Sequence, residues 1–167
     1  MKAYLEARRR EIGATLDSFF RGQESRVKTV NSWGPDAVDR LRRYVNGGKM
    51  IRGSLVFLGE ELFREPEPEV AVRVGAAMEL LQAFLLIHDD IMDRDETRRG
   101  KPSMHAQYRR VAEEQSSALR IPEGEQLHLG EALGICVGDI SAFLAFELVA
   151  DIAVSDSIRV RMLRLLS

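Results

Sequence analysis

Asp89, Asp90 and Asp93 close a long apolar run, Leu80-Leu81-Gln82-Ala83-Phe84-Leu85-Leu86-Ile87-His88. On a helix, Asp89 and Asp93 stand one turn apart and project from one face. At about 100° per residue, Gln82, Leu86, Asp89 and Asp93 fall in one stripe. The end of an apolar helix is a costly place for acids, because the macrodipole disfavours each negative charge there by roughly 0.3–1 kcal/mol. Asp95 and Glu96 add to the crowding. Bound cations would relieve it. Hard oxygen donors, with no nearby cysteine and no histidine pair, suit Mg2+, which takes one or two carboxylates and completes its shell from water and substrate phosphates. Taken alone, such a match is more often a solvated acidic helix end. His88 points some 100° away from the Asp89 stripe and reads as a packed or exposed histidine rather than a ligand or base.

Two cationic segments flank the acids in sequence. Thr97-Arg98-Arg99-Gly100-Lys101-Pro102 follows directly. Paired arginines can grip phosphate in a bidentate fork, and Gly100 is expected to let backbone approach an anion closely. Upstream lies Asn46-Gly47-Gly48-Lys49-Met50-Ile51-Arg52-Gly53. Two glycines before a helix start are expected to offer backbone N–H groups to an anion, with Lys49 and Arg52 reaching the same side. Alone, the arginine pair reads as a solvated loop or as partners for Asp95 and Glu96, and the upstream segment as a Gly-Gly turn with two exposed cations; together they bracket one metal motif as two diphosphate-gripping elements. A fourth signal is Gly138-Asp139, where a glycine permits close helix contact and a lone Asp in an apolar stretch needs a partner.

The elements that must carry these residues are helical. Apolar residues recur at helical rather than alternating spacing, and no Val/Ile/Thr-rich strand pattern occurs. Helices are predicted over residues 1–22 (a stripe of Leu5, Ile12, Leu16, Phe19 and Phe20), 36–45 after Gly34-Pro35 (Val38, Leu41, Val45), 49–63, 69–93, 104–119 and 129–153, with another starting near Ser157. Pro66-Glu67-Pro68 and Ile121-Pro122-Glu123-Gly124 are expected breaks, and residues 94–103 a charged loop. The fold class is therefore all-α, a helical bundle with short connections. The 167 residues are 45% hydrophobic and 30% charged with a net charge of −2. That balance describes one folded domain with a real core and gives no general affinity for nucleic acid. The single cysteine, Cys136, excludes an internal disulfide framework and is expected to be buried filler. Met1-Lys2-Ala3-Tyr4-Leu5-Glu6 lacks the apolar core of a signal peptide, and Asp139 and Glu147 interrupt the most apolar late stretch, so no membrane span and a cytoplasmic location are expected.

These residues resemble the trans-isoprenyl diphosphate synthase (polyprenyl synthetase) family over most of residues 40–150. Gly47-Gly48-Lys49-Met50-Ile51-Arg52 resembles the family's GGKxxR element, which implies that Lys49 and Arg52 hold the diphosphate of isopentenyl diphosphate. Gln82 occupies the place of a His or Gln touching that diphosphate. Asp89-Asp90-Ile91-Met92-Asp93 resembles the first aspartate-rich motif, implying a metal-holding and catalytic set of Asp89, Asp90 and Asp93 together with Arg98. Arg98 matches the arginine for the allylic diphosphate and Arg99 the one for isopentenyl diphosphate, and His105 and Gly138-Asp139 match further recurring positions. Phe84 and Leu85 match positions that form the floor limiting product length. The single aromatic leans towards C20, geranylgeranyl, within a range of C15–C20 or somewhat longer.

The implied chemistry is a magnesium-dependent, 1'-4 head-to-tail condensation. Metal and cationic side chains withdraw charge as the allylic diphosphate ionises, and the isopentenyl double bond attacks the resulting cation. A homodimer is implied, with the 129–153 helix supplying part of its surface. Gly53 stands where the family often has proline and is expected to loosen that turn. Residues 1–167 read as the N-terminal portion of one isoprenoid synthase domain, because no second aspartate-rich motif follows; alone they are expected not to turn over. A non-catalytic subunit of a heteromeric synthase would also account for this, though such subunits tend to lose charged site residues. A class I terpene cyclase would leave the Lys49/Arg52 element unexplained.

Overall fold

Each amphipathic stripe in the sequence becomes a buried helix face, and eight helices and a two-residue hairpin result among the described residues. The structure, a computed structural model, describes residues 1–63 and 67–167. Pro66 of the expected Pro66-Glu67-Pro68 break lies outside these, while Glu67 directly precedes the helix that begins at Pro68. The helices are α1 (Lys2–Val27), α2 (Gly34–Asn46), α3 (Ile51–Phe63), α4 (Pro68–Met92), α5 (Met104–Glu114), α6 (Ser116–Leu119), α7 (Gln126–Ala150) and α8 (Asp156–Leu166). Thr97–Arg98 and Lys101–Pro102 form the hairpin strands β1 and β2. The expected helix over 104–119 is split at Gln115, whose φ of −112° leaves the α region.

Two units are distinguished, Met1–Leu81 with Ala142–Ser167, and Gln82–Ser141, so the boundaries fall inside α4 and α7. In the first unit α1 packs on α2 and α3. Its core includes Ile12, Leu16 and Phe20 of α1, Val38, Leu41 and Val45 of α2, and Phe57 of α3. The start of α2 is stabilised by Asn31, whose Oδ1 accepts the Trp33 and Gly34 N–H groups at 2.9 and 2.8 Å. Proline in the first turn costs nothing there, since those N–H groups have no intrahelical partner. Arg8 bridges α1 to α3: its guanidinium lies 4.7 Å from the Phe57 ring centroid and pairs with Glu61 at 2.7 Å. Glu147 of α7 finds partners on α1, accepting from Gln23 at 2.9 Å and pairing with Arg26.

The second unit is held by a glycine register that periodicity alone does not announce. Gly130, Gly134 and Gly138 recur every four residues on α7. A Cβ at Gly130 would lie 2.7 Å from the His105 carbonyl oxygen, and one at Gly134 would lie 3.0 Å from Ile91 Cδ1. One face of α7 thus admits the backbone of α5 and, from the end of α4, the Ile91 side chain. The core between them includes Ala83, Ile87, Met104, Tyr108 and Val137.

Cys136 is exposed, contrary to expectation. The α7 helix is apolar around most of its circumference, so an apolar neighbourhood in sequence did not specify which face is covered. By length and composition alone α4 and α7 are each long and apolar enough to cross a membrane, and 44% of each apolar window is buried in the fold.

Candidate functional site

Helix α4 ends in a Schellman arrangement that fixes the acids. The Asp93 N–H still donates to the Asp89 carbonyl at 2.8 Å, so helical spacing persists through the motif. Arg94 then takes a left-handed φ of 58°. Its N–H reaches the Ile91 carbonyl at 3.2 Å, and the Asp95 N–H reaches that of Asp90 at 2.8 Å. These are the two bonds by which such a cap satisfies the last helical carbonyls.

The three aspartates do not do the same thing. Asp90 is fully buried, and its Oδ1 accepts from Arg98 Nε. Asp89 and Asp93 lie on the outer side: the Asp89 side chain is 48% exposed, and Asp93 is exposed with no ion pair among the described residues. Arg98 also approaches Asp89 at 3.3 Å and Asp95 at 3.8 Å. The buried carboxylate therefore anchors the arginine, and the arginine partly neutralises the acid cluster.

The hairpin explains Arg98-Arg99-Gly100-Lys101. Thr97 pairs with Pro102 and Arg98 with Lys101, leaving Arg99 and Gly100 as a two-residue connection. Both have positive φ, 55° and 72°, as a type I′ turn requires. Gly100 meets nothing within 4 Å of a built Cβ. Its positive φ is what the turn requires. Arg99 is exposed at the turn. Beyond the hairpin, Glu96 accepts a bidentate pair from Arg109 at 2.5 and 2.7 Å, which raises the guanidinium pKa above its ordinary value.

His88 and Gly138-Asp139 explain one another. His88 Nδ1 lies 2.9 Å from the Phe84 carbonyl and Nε2 lies 3.4 Å from Asp139. A Cβ on Gly138 would sit 2.7 Å from the His88 ring nitrogen. Asp139 thus has the partner that the sequence demanded. His105 is a buried residue of α5, 3.2 Å from the Ser103 hydroxyl. Phe84 stacks edge-on to His88 with centroids 4.7 Å apart, Leu85 is 57% exposed, and Gln82 is half-buried.

Lys49 and Arg52 stand in the first unit, where both are exposed and make no ion pair among the described residues. The two glycine N–H groups are not offered to an anion as expected. The Gly47 N–H donates to Arg43 O at 3.2 Å and the Gly48 N–H to Val45 O at 3.0 Å, closing the α2 C-terminus. Neither glycine is left-handed; Met50 is, at φ 52°, with its side chain buried against Gly13 of α1. Gly53 does not loosen the turn. It lies inside α3 and packs on Gly75 of α4, and its N–H donates to the buried carboxylate of Glu79 at 2.8 Å. Glu79 escaped the sequence reading, although a lone acid amid Ala76, Ala77 and Leu80 was a visible signal.

Among the described residues no three His, Cys, Asp or Glu side chains gather into a metal cluster. Two outward carboxylates one turn apart nevertheless fit magnesium, which takes few protein ligands and completes its shell with water and phosphate oxygens.

A short chain isoprenyl diphosphate synthase of Methanothermobacter thermautotrophicus is 37% identical over 142 residues, covering 83% of this chain and 37% of that protein. A farnesyl diphosphate synthase of Geobacillus stearothermophilus is 29% identical over 166 residues, covering 92% of this chain and 48% of that one. A crystal structure of geranylgeranyl pyrophosphate synthase from Corynebacterium glutamicum, complexed with isoprenyl diphosphate and magnesium, aligns with a TM-score of 0.77 at 29% identity. It covers 95% of this chain and 43% of its own. The chain thus spans less than half the length of these relatives. The Polyprenyl synthetase family model matches residues 36–167, and with the acidic helix end, the arginine hairpin and the GGKxxR element in place, the chain belongs to that family.

Proposed function

We propose that this chain supplies diphosphate- and metal-binding residues of a trans-prenyltransferase that joins isopentenyl diphosphate to an allylic diphosphate. The observation that carries the proposal is the division of labour among the aspartates: Asp90 is turned inward onto Arg98, while Asp89 and Asp93 face outward one turn apart. Those two carboxylates would hold magnesium on the allylic diphosphate and draw charge from the C–O bond as it ionises. Arg98, shared with the acids, and Arg99, at the hairpin tip, would add positive charge to the leaving group. Lys49 and Arg52, and separately Gln82, would bind the diphosphate of isopentenyl diphosphate. Phe84 and Leu85 would bound the growing chain, with C20 the preferred product. The exposed Ile135, Ile140 and Phe143 of α7 are apolar surface suited to a homodimer.

Calorimetric titration tests the reading. Isopentenyl diphosphate should bind without metal and be lost in Lys49→Ala and Arg52→Ala. Geranyl diphosphate should bind only with magnesium and be lost in Asp89→Ala and Asp93→Ala. Allylic diphosphate binding that ignores both magnesium and the two aspartates would overturn the assignment.

A further inference from the structure

One buried acid takes no part in the chemistry proposed above. Glu79 of α4 is 7% exposed, beside the fully buried Ala76, Ala77 and Leu80. Burying a carboxylate costs free energy unless polar groups hold it. Here its Oε1 accepts the Gly53 N–H at 2.8 Å. Ile51, Arg52 and Gly53 are the first three residues of α3, whose N–H groups have no acceptor inside the helix. The next N–H, that of Ser54, already closes on the Met50 carbonyl at 3.1 Å. Glu79 therefore caps α3 from a neighbouring helix and sets a negative charge at the positive end of its dipole.

The contact depends on an unusually close crossing. A Cβ on Gly53 would lie 2.7 Å from the Gly75 carbonyl oxygen and 2.7 Å from Ile12 Cδ1, and a Cβ on Gly75 would lie 3.0 Å from the Gly53 carbonyl oxygen. Gly75 is one turn before Glu79 on α4, so the glycine pair brings the two backbones near enough for the carboxylate to reach. On the other side of the joint, left-handed Met50 is buried against Gly13. The capped N–H follows Arg52 directly and comes four residues after Lys49. The direction in which α3 leaves the turn, and with it the placement of both cations, is set at this bond.

We propose that Glu79 is a positioning residue for the Lys49/Arg52 pair, holding the first turn of α3 in the conformation that receives isopentenyl diphosphate. The inference rests on the diphosphate-binding role proposed above for that pair.

The test combines amide hydrogen exchange at Gly53 with isopentenyl diphosphate titrations of the 167-residue chain. The Gly53 amide of the unaltered chain should be protected. Glu79→Gln keeps an acceptor of the same shape, and should keep both the protection and the affinity. Glu79→Met keeps the volume without the acceptor, and should lose the protection and bind about tenfold more weakly while remaining folded. A folded Glu79→Met that binds as tightly as the unaltered chain overturns the proposal. So does a Gly53 amide that exchanges freely in the unaltered chain, or a Glu79→Gln that binds tenfold more weakly with Gly53 still protected. If Glu79→Met does not fold, the last two measurements decide. Lys49→Ala is the separate control: unchanged binding there rejects the diphosphate role of the pair itself, whatever Gly53 shows.

Discussion

Aspartates of one motif with opposite burial should fail in opposite ways when altered. Arg98→Met would keep the side-chain stem but leave Asp90, with 0% side-chain exposure, without its guanidinium. Removing one partner of a buried pair costs about 3–5 kcal/mol. The arginine is itself 23% exposed, so water can reach part of the site and the lower end, about 3 kcal/mol, is expected. For a chain of this size that is a fall in Tm of roughly 6–12 °C. Asp90→Asn keeps an acceptor for Arg98 Nε but loses the charge, and Arg98 still has Asp89 at 3.3 Å; about 1–2 kcal/mol is expected. Asp93→Asn removes an exposed charge from a helix C-terminus and should change stability by less than about 0.5 kcal/mol, or raise it slightly. Magnesium binding in the presence of geranyl diphosphate should show the reverse order, with Asp93→Asn about tenfold weaker and Asp90→Asn close to the unaltered chain. Urea unfolding and calorimetry on the same preparations give both series. If Asp90→Asn proves neutral in stability yet abolishes magnesium binding as Asp93→Asn does, the anchor assignment is wrong and Asp90 is a ligand.

Four further outcomes follow from particular contacts. Gly138→Ala would place a methyl 2.7 Å from the His88 ring nitrogen and should destabilise by about 1–3 kcal/mol in urea unfolding, whereas Gly100→Ala should cost less, since it meets no neighbour and only its φ of 72° is strained. Gly53→Pro would remove the N–H that Glu79 accepts and press a ring into Gly75; a loss above about 3 kcal/mol is expected, and a neutral result would show that α3 does not approach α4 as closely as described. Arg94→Gly relieves a left-handed position at the end of α4 and should stabilise by about 0.5–1 kcal/mol, visible as a higher Tm. Burial and the hydrogen bond to Glu61 raise the Tyr4 phenol pKa above its ordinary value. A raised folded pKa means that the contribution is complete below the unfolded pKa, near 10, and is lost as pH rises through the folded value. Tyr4→Phe should therefore lose less stability than the unaltered chain when denaturation is compared above and below about pH 10.

The sequence alone sufficed for the helical fold class and for the family. The stripes Ile12-Leu16-Phe20 and Val38-Leu41-Val45 are buried as their spacing required. Helix periodicity is a local property, so these faces did not depend on their partners. The four-residue step from Asp89 to Asp93 likewise guarantees a shared face in any helix. Tertiary structure was needed wherever two residues could exchange roles by a modest rotation. Asp89 and Asp90 differ by about 100° around α4, and only packing turns Asp90 inward onto Arg98. Because α4 and α7 are apolar over most of their surface, composition did not say which side would be covered, and Cys136 proved exposed. The glycines show the same limit. Their presence was legible, but whether each serves a left-handed turn, as Gly100 does, a backbone crossing, as Gly53 does, or room for a side chain, as Gly138 does for His88, depends on what lies opposite in space.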